Sequence, residues 1–169
     1  MDDQPLCCAL WSKTDEQIER TMHLISLLPA GSSGFQPPHH SWPVALVLGH
    51  LLECLAGFCA VLYTADPAGL AHFSELRTLP VNHHCAPDET AARIALYRTR
   101  IREGWGHLDD ALLARKTPTV FVPGGEAYLT LLLGNLEHLV NHKHQLFTYL
   151  KMMGVAVSSE DLYQFRGRS

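Results

Sequence analysis

Leu136-Glu137-His138-Leu139-Val140-Asn141-His142-Lys143-His144-Gln145-Leu146, continuing to Tyr149-Leu150-Lys151 and Gly154-Val155, is the stretch on which the fold turns. It closes an apolar-periodic segment that the spacing predicts as a helix over about 126–153, stopped by Gly154, a natural residue just past a helix C-terminus. His138 and His142 are four residues apart. Four steps of about 100° put them on one face, about 6 Å apart along the axis. That face continues through Leu131, Asn135, Gln145 and Tyr149, so Asn135 and Gln145 lie one turn to either side, placed to hydrogen-bond the second nitrogen of a ligand imidazole. His-x₃-His on a helix can aim two imidazoles at one metal ion. The plainer alternative is two histidines on a solvated flank. His144 is two residues from His142, about 200° round the helix, and cannot join the same site.

His50 shifts the balance between those alternatives. It sits among Val47, Leu48, Leu51, Leu52 and Leu55 in the most apolar run of the chain, Pro43 to Tyr63. A buried imidazole needs partners for both nitrogens or it costs several kcal/mol. Three imidazoles from two packed helices make a facial set with open positions, suited to a divalent ion such as Zn²⁺, Ni²⁺ or Fe²⁺. Glu53 and Cys54 follow His50 by three and four residues, and either could border the site. The apolar run is nearly long enough to span a bilayer. His50 and Glu53 in its middle, and the absence of Lys or Arg close by, argue for a buried helix of a soluble protein with no membrane partner.

Outward from these two helices, the spacing predicts two more. One runs over about 14–28, with Thr14 as N-cap and Ile18, Met22, Ile25 and Leu28 on one face. The second apolar helix begins with Ser41 as N-cap and ends near Asp66-Pro67. Residues 66–87 read as a long excursion with one short helix around 68–74. A third helix runs from Asp88 to about Arg115, with Ile94, Tyr97, Ile101, Trp105, Leu108 and Leu112 stepping by three or four despite Gly104 and Gly106. Thr119-Val120-Phe121-Val122 is a short extended patch, and the tail holds a short helix around 159–165. The expectation is an all-α four-helix bundle with a longer crossover after the second helix. It forms a single domain over 1–169, with a core of about 11–155 and a short tail.

Composition narrows the function. Of 169 residues, 47% are hydrophobic and 18% charged, with 13 Lys+Arg against 17 Asp+Glu, which leaves no basic surface for nucleic acid. Eleven histidines nearly equal all Lys and Arg together, so metal binding or proton transfer is the chemistry to look for. Cys7, Cys8, Cys54, Cys59 and Cys85 are odd in number and show no Cys-x-x-Cys spacing. They read as thiols in a reducing compartment, and the acidic Met1-Asp2-Asp3 start lacks a signal peptide's basic region, so the expected location is cytoplasmic. The chain has no His-Glu-x-x-His, no Glu-x-x-His, no Gly-x-Ser-x-Gly, no P-loop and no dinucleotide fingerprint. These absences leave zinc-protease, di-iron, serine-hydrolase and nucleotide readings unsupported.

The run from Leu136 to Val155 resembles the last core helix of DinB-like proteins, where His-x₃-His is followed by a basic residue, usually Gly, then Gln-Leu, a Tyr-Leu-Arg-like stretch and Gly. Ser41-Trp42-Pro43-Val44 followed by Leu48-Gly49-His50-Leu51 resembles that family's second helix, with its Trp-Ser-like start and single histidine. The resemblance covers about Trp11 to Val155. His144 stands where Gly is usual and Asn141 where His is common; neither departure removes a ligand. The resemblance implies an up-down-down-up bundle of the DinB/YfiT-like type, often a homodimer, with a divalent metal on His50, His138 and His142. Zinc or nickel is the expected ion, with iron or manganese as alternatives. The wider superfamily includes YfiT-like metal-dependent hydrolases and transferases that use bacillithiol, mycothiol or glutathione, although many members have no known reaction. A metal-dependent thiol S-transferase or related hydrolase acting on a low-molecular-weight thiol is the leading expectation. The alternative is a non-catalytic metal- or small-ligand-binding bundle involved in stress response or detoxification. No catalytic base is visible.

Overall fold

The computed structural model describes residues 5–39, 42–64, 84–118 and 122–164. Four long helices carry the chain: α1 (Leu6–Ser26), α2 (Val44–Leu62), α3 (Pro87–Trp105) and, after the one-turn α4 (Asp110–Leu113), α5 (Tyr128–Met152). A small antiparallel hairpin pairs β1 (Lys116–Thr117) with β2 (Glu126–Ala127), Lys116 opposite Ala127 and Thr117 opposite Glu126. These strands flank the expected extended patch, of which residues 119–121 lie outside the described residues. The short helix expected around 68–74 lies outside them too. Ser41, the expected cap of α2, also lies outside them, and it is Pro43 that holds the N-cap position, with no capping side chain. α2 packs against α3 and α5, and α1 packs against the same two helices, so α1 and α2 stand diagonally across the all-α bundle.

α2 is the centre of the core. Val44, Val47, Leu48, Leu51, Leu52, Phe58 and Cys59 are fully buried around its circumference. By length and composition it could cross a membrane, yet 72% of its apolar stretch is buried inside the bundle. That enclosure explains a helix that is apolar almost all round. It ends at Leu62, about a turn before the predicted stop.

α1 starts two turns earlier than the sequence suggests, and its cap explains why. Pro5 occupies the N-cap and provides no capping side chain. The carboxylate of Asp110, on α4, accepts from the backbone N–H groups of Leu6 (2.9 Å) and Cys7 (2.8 Å). These bonds hold the Asp110 carboxyl below its usual pKa. Thr14 is therefore no cap: it lies inside the helix, buried, with its hydroxyl donating to Leu10 O at 2.9 Å. A cap supplied from a hundred residues away leaves no local signal.

α3 ends at Trp105, not near Arg115. Ile94, Tyr97, Ile101 and Trp105 are buried as their spacing predicts. Asp109 then caps the separate α4 by accepting from Leu112 N at 2.7 Å, a competing start that breaks the long stripe. Arg98 clamps α3 to α1 through both carboxylate oxygens of Asp15 (2.6 and 2.7 Å) and through Glu19 (2.7 Å).

The described residues after α5 are packed in part. A π-helical turn at Glu160–Gln164 lies against α1, with Leu162 in the core. Lys143 of α5, only 2% exposed, donates to Gln17 Oε1 (2.7 Å) and Leu162 O (3.1 Å). His23 of α1 pairs with Asp161 at 2.8 Å. The packed body is thus wider than residues 11–155, beginning with Cys7 and Leu10 and reaching Leu162.

Gly104 and Gly134 are both helical glycines, and their surroundings give opposite expectations. A Cβ on Gly104 would meet Tyr63 Cε2 at 2.8 Å and Leu62 Cβ at 3.0 Å, because the end of α2 presses on α3 there. A Cβ on Gly134 would meet nothing within 4 Å. Gly104→Ala is expected to lower stability by about 1–2 kcal/mol, overpacking outweighing helix propensity. Gly134→Ala is expected to raise it by about 0.5–1 kcal/mol. Urea unfolding midpoints for the two variants check the pair; shifts of the same sign would contradict the packing described.

Candidate metal centre

His50 projects from α2, and His138 and His142 from successive turns of α5, where the two helices pack together. Close approach is permitted at Gly57, where a Cβ would come within 2.8 Å of Asn135 Oδ1. The structure brings all three predicted residues together: one ring nitrogen from each lies within 4.8 Å of the others. Nε2 of His50 and Nε2 of His138 are 3.0 Å apart. Ring centroids are separated by 4.4 Å for His50 and His142, 4.9 Å for His50 and His138, and 4.8 Å for His138 and His142. His50 and His142 are half-buried and His138 is exposed, so one side of the cluster opens to solvent. His144 is not part of it; its exposed ring lies beside Phe147.

Hydrogen bonds fix two of the rings. His50 Nδ1 meets Glu53 Oε2 at 2.9 Å. A carboxylate only accepts, so Nδ1 carries the proton and the Nε2 lone pair faces the cluster. His142 Nδ1 meets Gln145 Oε1 at 2.9 Å. Gln145 thus takes the role its spacing suggests, while the Asn135 amide rests on Gly57. Of the two residues expected to border the site, Glu53 does. Cys54 is buried in the core, its thiol pushed up to about 12 by burial and then by the Glu53 charge, and it is not a ligand.

Trp42 is the wall that sequence reasoning missed. Its ring lies edge-on to His50 (4.9 Å, 69°) and stacks on His142 (5.6 Å, 12°). Nothing in the periodicity singles it out, because it precedes α2 and reaches the site only when α2 and α5 pack. Among the described residues, no other histidine joins the cluster, His84 being exposed in a bend. His23 pairs with Asp161, His39 adopts a left-handed φ of 64°, and His107 follows α3 in a turn. His40, His72 and His83 lie outside the described residues.

The electrostatics favour neutral ligands. Partial desolvation against the neighbouring rings, followed by the His50 charge, lowers the pKa of His138 from its ordinary value. Burial also lowers that of His142, against a raising contribution from its bond to Gln145. Two Nε2 atoms at 3.0 Å repel unless a proton or a cation lies between them. Metal–imidazole bonds of about 2.0–2.1 Å place neighbouring donors roughly 3.0–3.4 Å apart, so the His50–His138 spacing fits a shared ion. The donor set is compatible with a divalent metal, with solvent on the His138 side.

A solved structure supports the fold. The structure of the DinB-like protein YjoA of Bacillus subtilis is similar to this chain with a TM-score of 0.66 and 17% identity, over 86% of this chain and 92% of that one. The likeness shows that the chain has the DinB-like fold. No protein-family model matches the sequence, and no curated protein matches it significantly.

His50→Ala, His138→Ala and His142→Ala are each expected to lose bound metal after dialysis, while His144→Ala keeps it. All four should stay folded, since the bundle has its own apolar core. Metal loss in His144→Ala with retention in His50→Ala would refute the three-histidine site. Acidification competes protons against the ion. Because the pKa values of His138 and His142 are depressed, the fall in affinity should set in at lower pH than for ligands with unperturbed imidazole pKa values. Affinity measured across pH checks this, and a fall beginning above pH 7 contradicts it.

Proposed function

We propose that this protein is a metal-dependent enzyme, a thiol S-transferase or related hydrolase, in which Nε2 of His50, His138 and His142 hold a divalent ion. The convergence of one ring nitrogen from each histidine, with the His138 side open to solvent, carries the reading. A bound ion there supplies Lewis acidity, lowering the pKa of a bound thiol or water toward the nucleophilic anion at neutral pH. The chain's own residues prepare that state. Glu53 keeps the His50 proton on Nδ1, away from the cluster. Trp42 covers the His50 and His142 rings, narrowing the water-accessible approach to the His138 side. Zinc and nickel suit three imidazoles; iron and manganese are the alternatives. A low-molecular-weight thiol is the proposed substrate, in a cytoplasmic setting.

A panel of low-molecular-weight thiols with a soft electrophile, assayed with and without added Zn²⁺ or Ni²⁺, tests the proposal. Turnover should require metal and fall at least about a hundredfold in His50→Ala, as expected when a metal ligand is lost. Stoichiometric metal without turnover by any thiol or by water would favour a non-catalytic binding protein. Absence of metal binding would remove the chemical basis of the proposal.

A further inference from the structure

Behind His142 runs a chain of hydrogen bonds that ends on the wall of the site. His142 Nδ1 meets Gln145 Oε1 at 2.9 Å, Gln145 Nε2 donates to Tyr149 Oη at 3.2 Å, and Tyr149 Oη donates to Trp42 O at 2.9 Å. The Trp42 indole stacks on His142, so the four residues close a circuit. Tyr149 is fully buried within it.

The direction of this chain follows from its last member. A backbone carbonyl can only accept, so the Tyr149 hydroxyl spends its single proton on Trp42 O. Its oxygen must then accept from Gln145, and the Gln145 amide turns its NH₂ toward Tyr149. The amide oxygen is left facing His142. An amide oxygen also only accepts, so His142 Nδ1 carries the hydrogen and Nε2 is the lone-pair nitrogen. Reversing the amide would place NH₂ against Nδ1, favour the Nε2–H tautomer and block the donor atom.

We propose that Tyr149 is a positioning residue of the metal centre: through Gln145 it selects the Nδ1–H tautomer of His142, with Nε2 bare before any ion arrives. The consequence for affinity rests on the metal-binding reading above; the tautomer itself is a property of the metal-free protein. The arrangement also ties the entry to α2 to α5, because the carbonyl that sets the direction belongs to the residue stacked on the ligand. His50 serves as an internal reference, since Glu53 sets its tautomer independently.

The test is ¹⁵N chemical shifts of the imidazole nitrogens in metal-free protein at about pH 8, above the unperturbed imidazole pKa. Wild type should show His142 as the single Nδ1–H tautomer. Tyr149→Phe, which keeps the buried ring, should shift His142 toward Nε2–H, leave His50 unchanged and weaken Zn²⁺ binding about tenfold to hundredfold, as for other partners of metal ligands. Gln145→Glu offers an acceptor oxygen in either orientation. In that background Tyr149→Phe should leave His142 as Nδ1–H. A single Nδ1–H tautomer in Tyr149→Phe overturns the proposal. So does an equal shift in the Gln145→Glu background, which would mark the effect as general loss of packing. If wild type binds no Zn²⁺, the metal reading fails, and the same spectra still decide the tautomer claim.

Discussion

A helix that is apolar almost all round has to be covered almost all round, and α2 imposes that requirement on the whole chain. α3 and α5 lie directly against it, and α1 completes the enclosure by bridging the same two helices. Burial of an aliphatic side chain is worth about 1.5–3 kcal/mol, and α2 contributes more such side chains than any other element. The site is a by-product of that enclosure. His50 lies on the helix that must be buried, so its imidazole enters a partly desolvated environment with two nitrogens to satisfy. Glu53 satisfies one, and the other is turned toward the helix that covers it, where His138 and His142 stand.

The same economy of partners recurs wherever polar groups enter the bundle. Asp110 caps α1, Trp105 Nε1 donates to Cys7 O at 3.0 Å, and Arg98 holds two acids of α1. Lys143 is the extreme case: burial, followed by the nearby Arg20 and Lys13 charges, lowers its pKa to about 8, while Gln17 and the Leu162 carbonyl accept from its amine. All of these bonds except that of Lys143 to Leu162 join elements far apart in sequence. Together they set how α1, α3 and the C-terminal turn meet, whereas apolar burial by itself is indifferent to small rotations. His142 and Lys143 are neighbours about 100° apart round α5, one at the metal centre and one bonded to the C-terminal turn, so a rotation of α5 would disturb both.

The helices were legible where local periodicity decides them. Ile94, Tyr97, Ile101 and Trp105 step by three or four because one face of α3 meets the core, and they are buried accordingly. The boundaries were less legible. Thr14 has the chemistry of a cap, but the true cap is Asp110, and the choice between them depends on where α4 docks. The stripe past Trp105 kept its spacing through Leu112, yet Asp109 offered a new start, and a local cap outweighed the weaker continuation.

The sequence by itself determined the four helices and the residues of the three-histidine cluster. Helical spacing puts 138 and 142 on one face, and an imidazole in an apolar run demands a partner. Gln145 and Glu53 were legible for the same reason, each three residues from its histidine, a distance fixed by the helix. Only the tertiary structure decided that α2 and α5 meet at Gly57, that Trp42 closes one side, and that Cys54 turns into the core. It alone decided that the Tyr149 hydroxyl donates its hydrogen bond to Trp42 O while accepting from Gln145 Nε2. Those outcomes depend on contacts between residues up to 107 positions apart, and the period of a helix carries no information about which carbonyl will lie across from it.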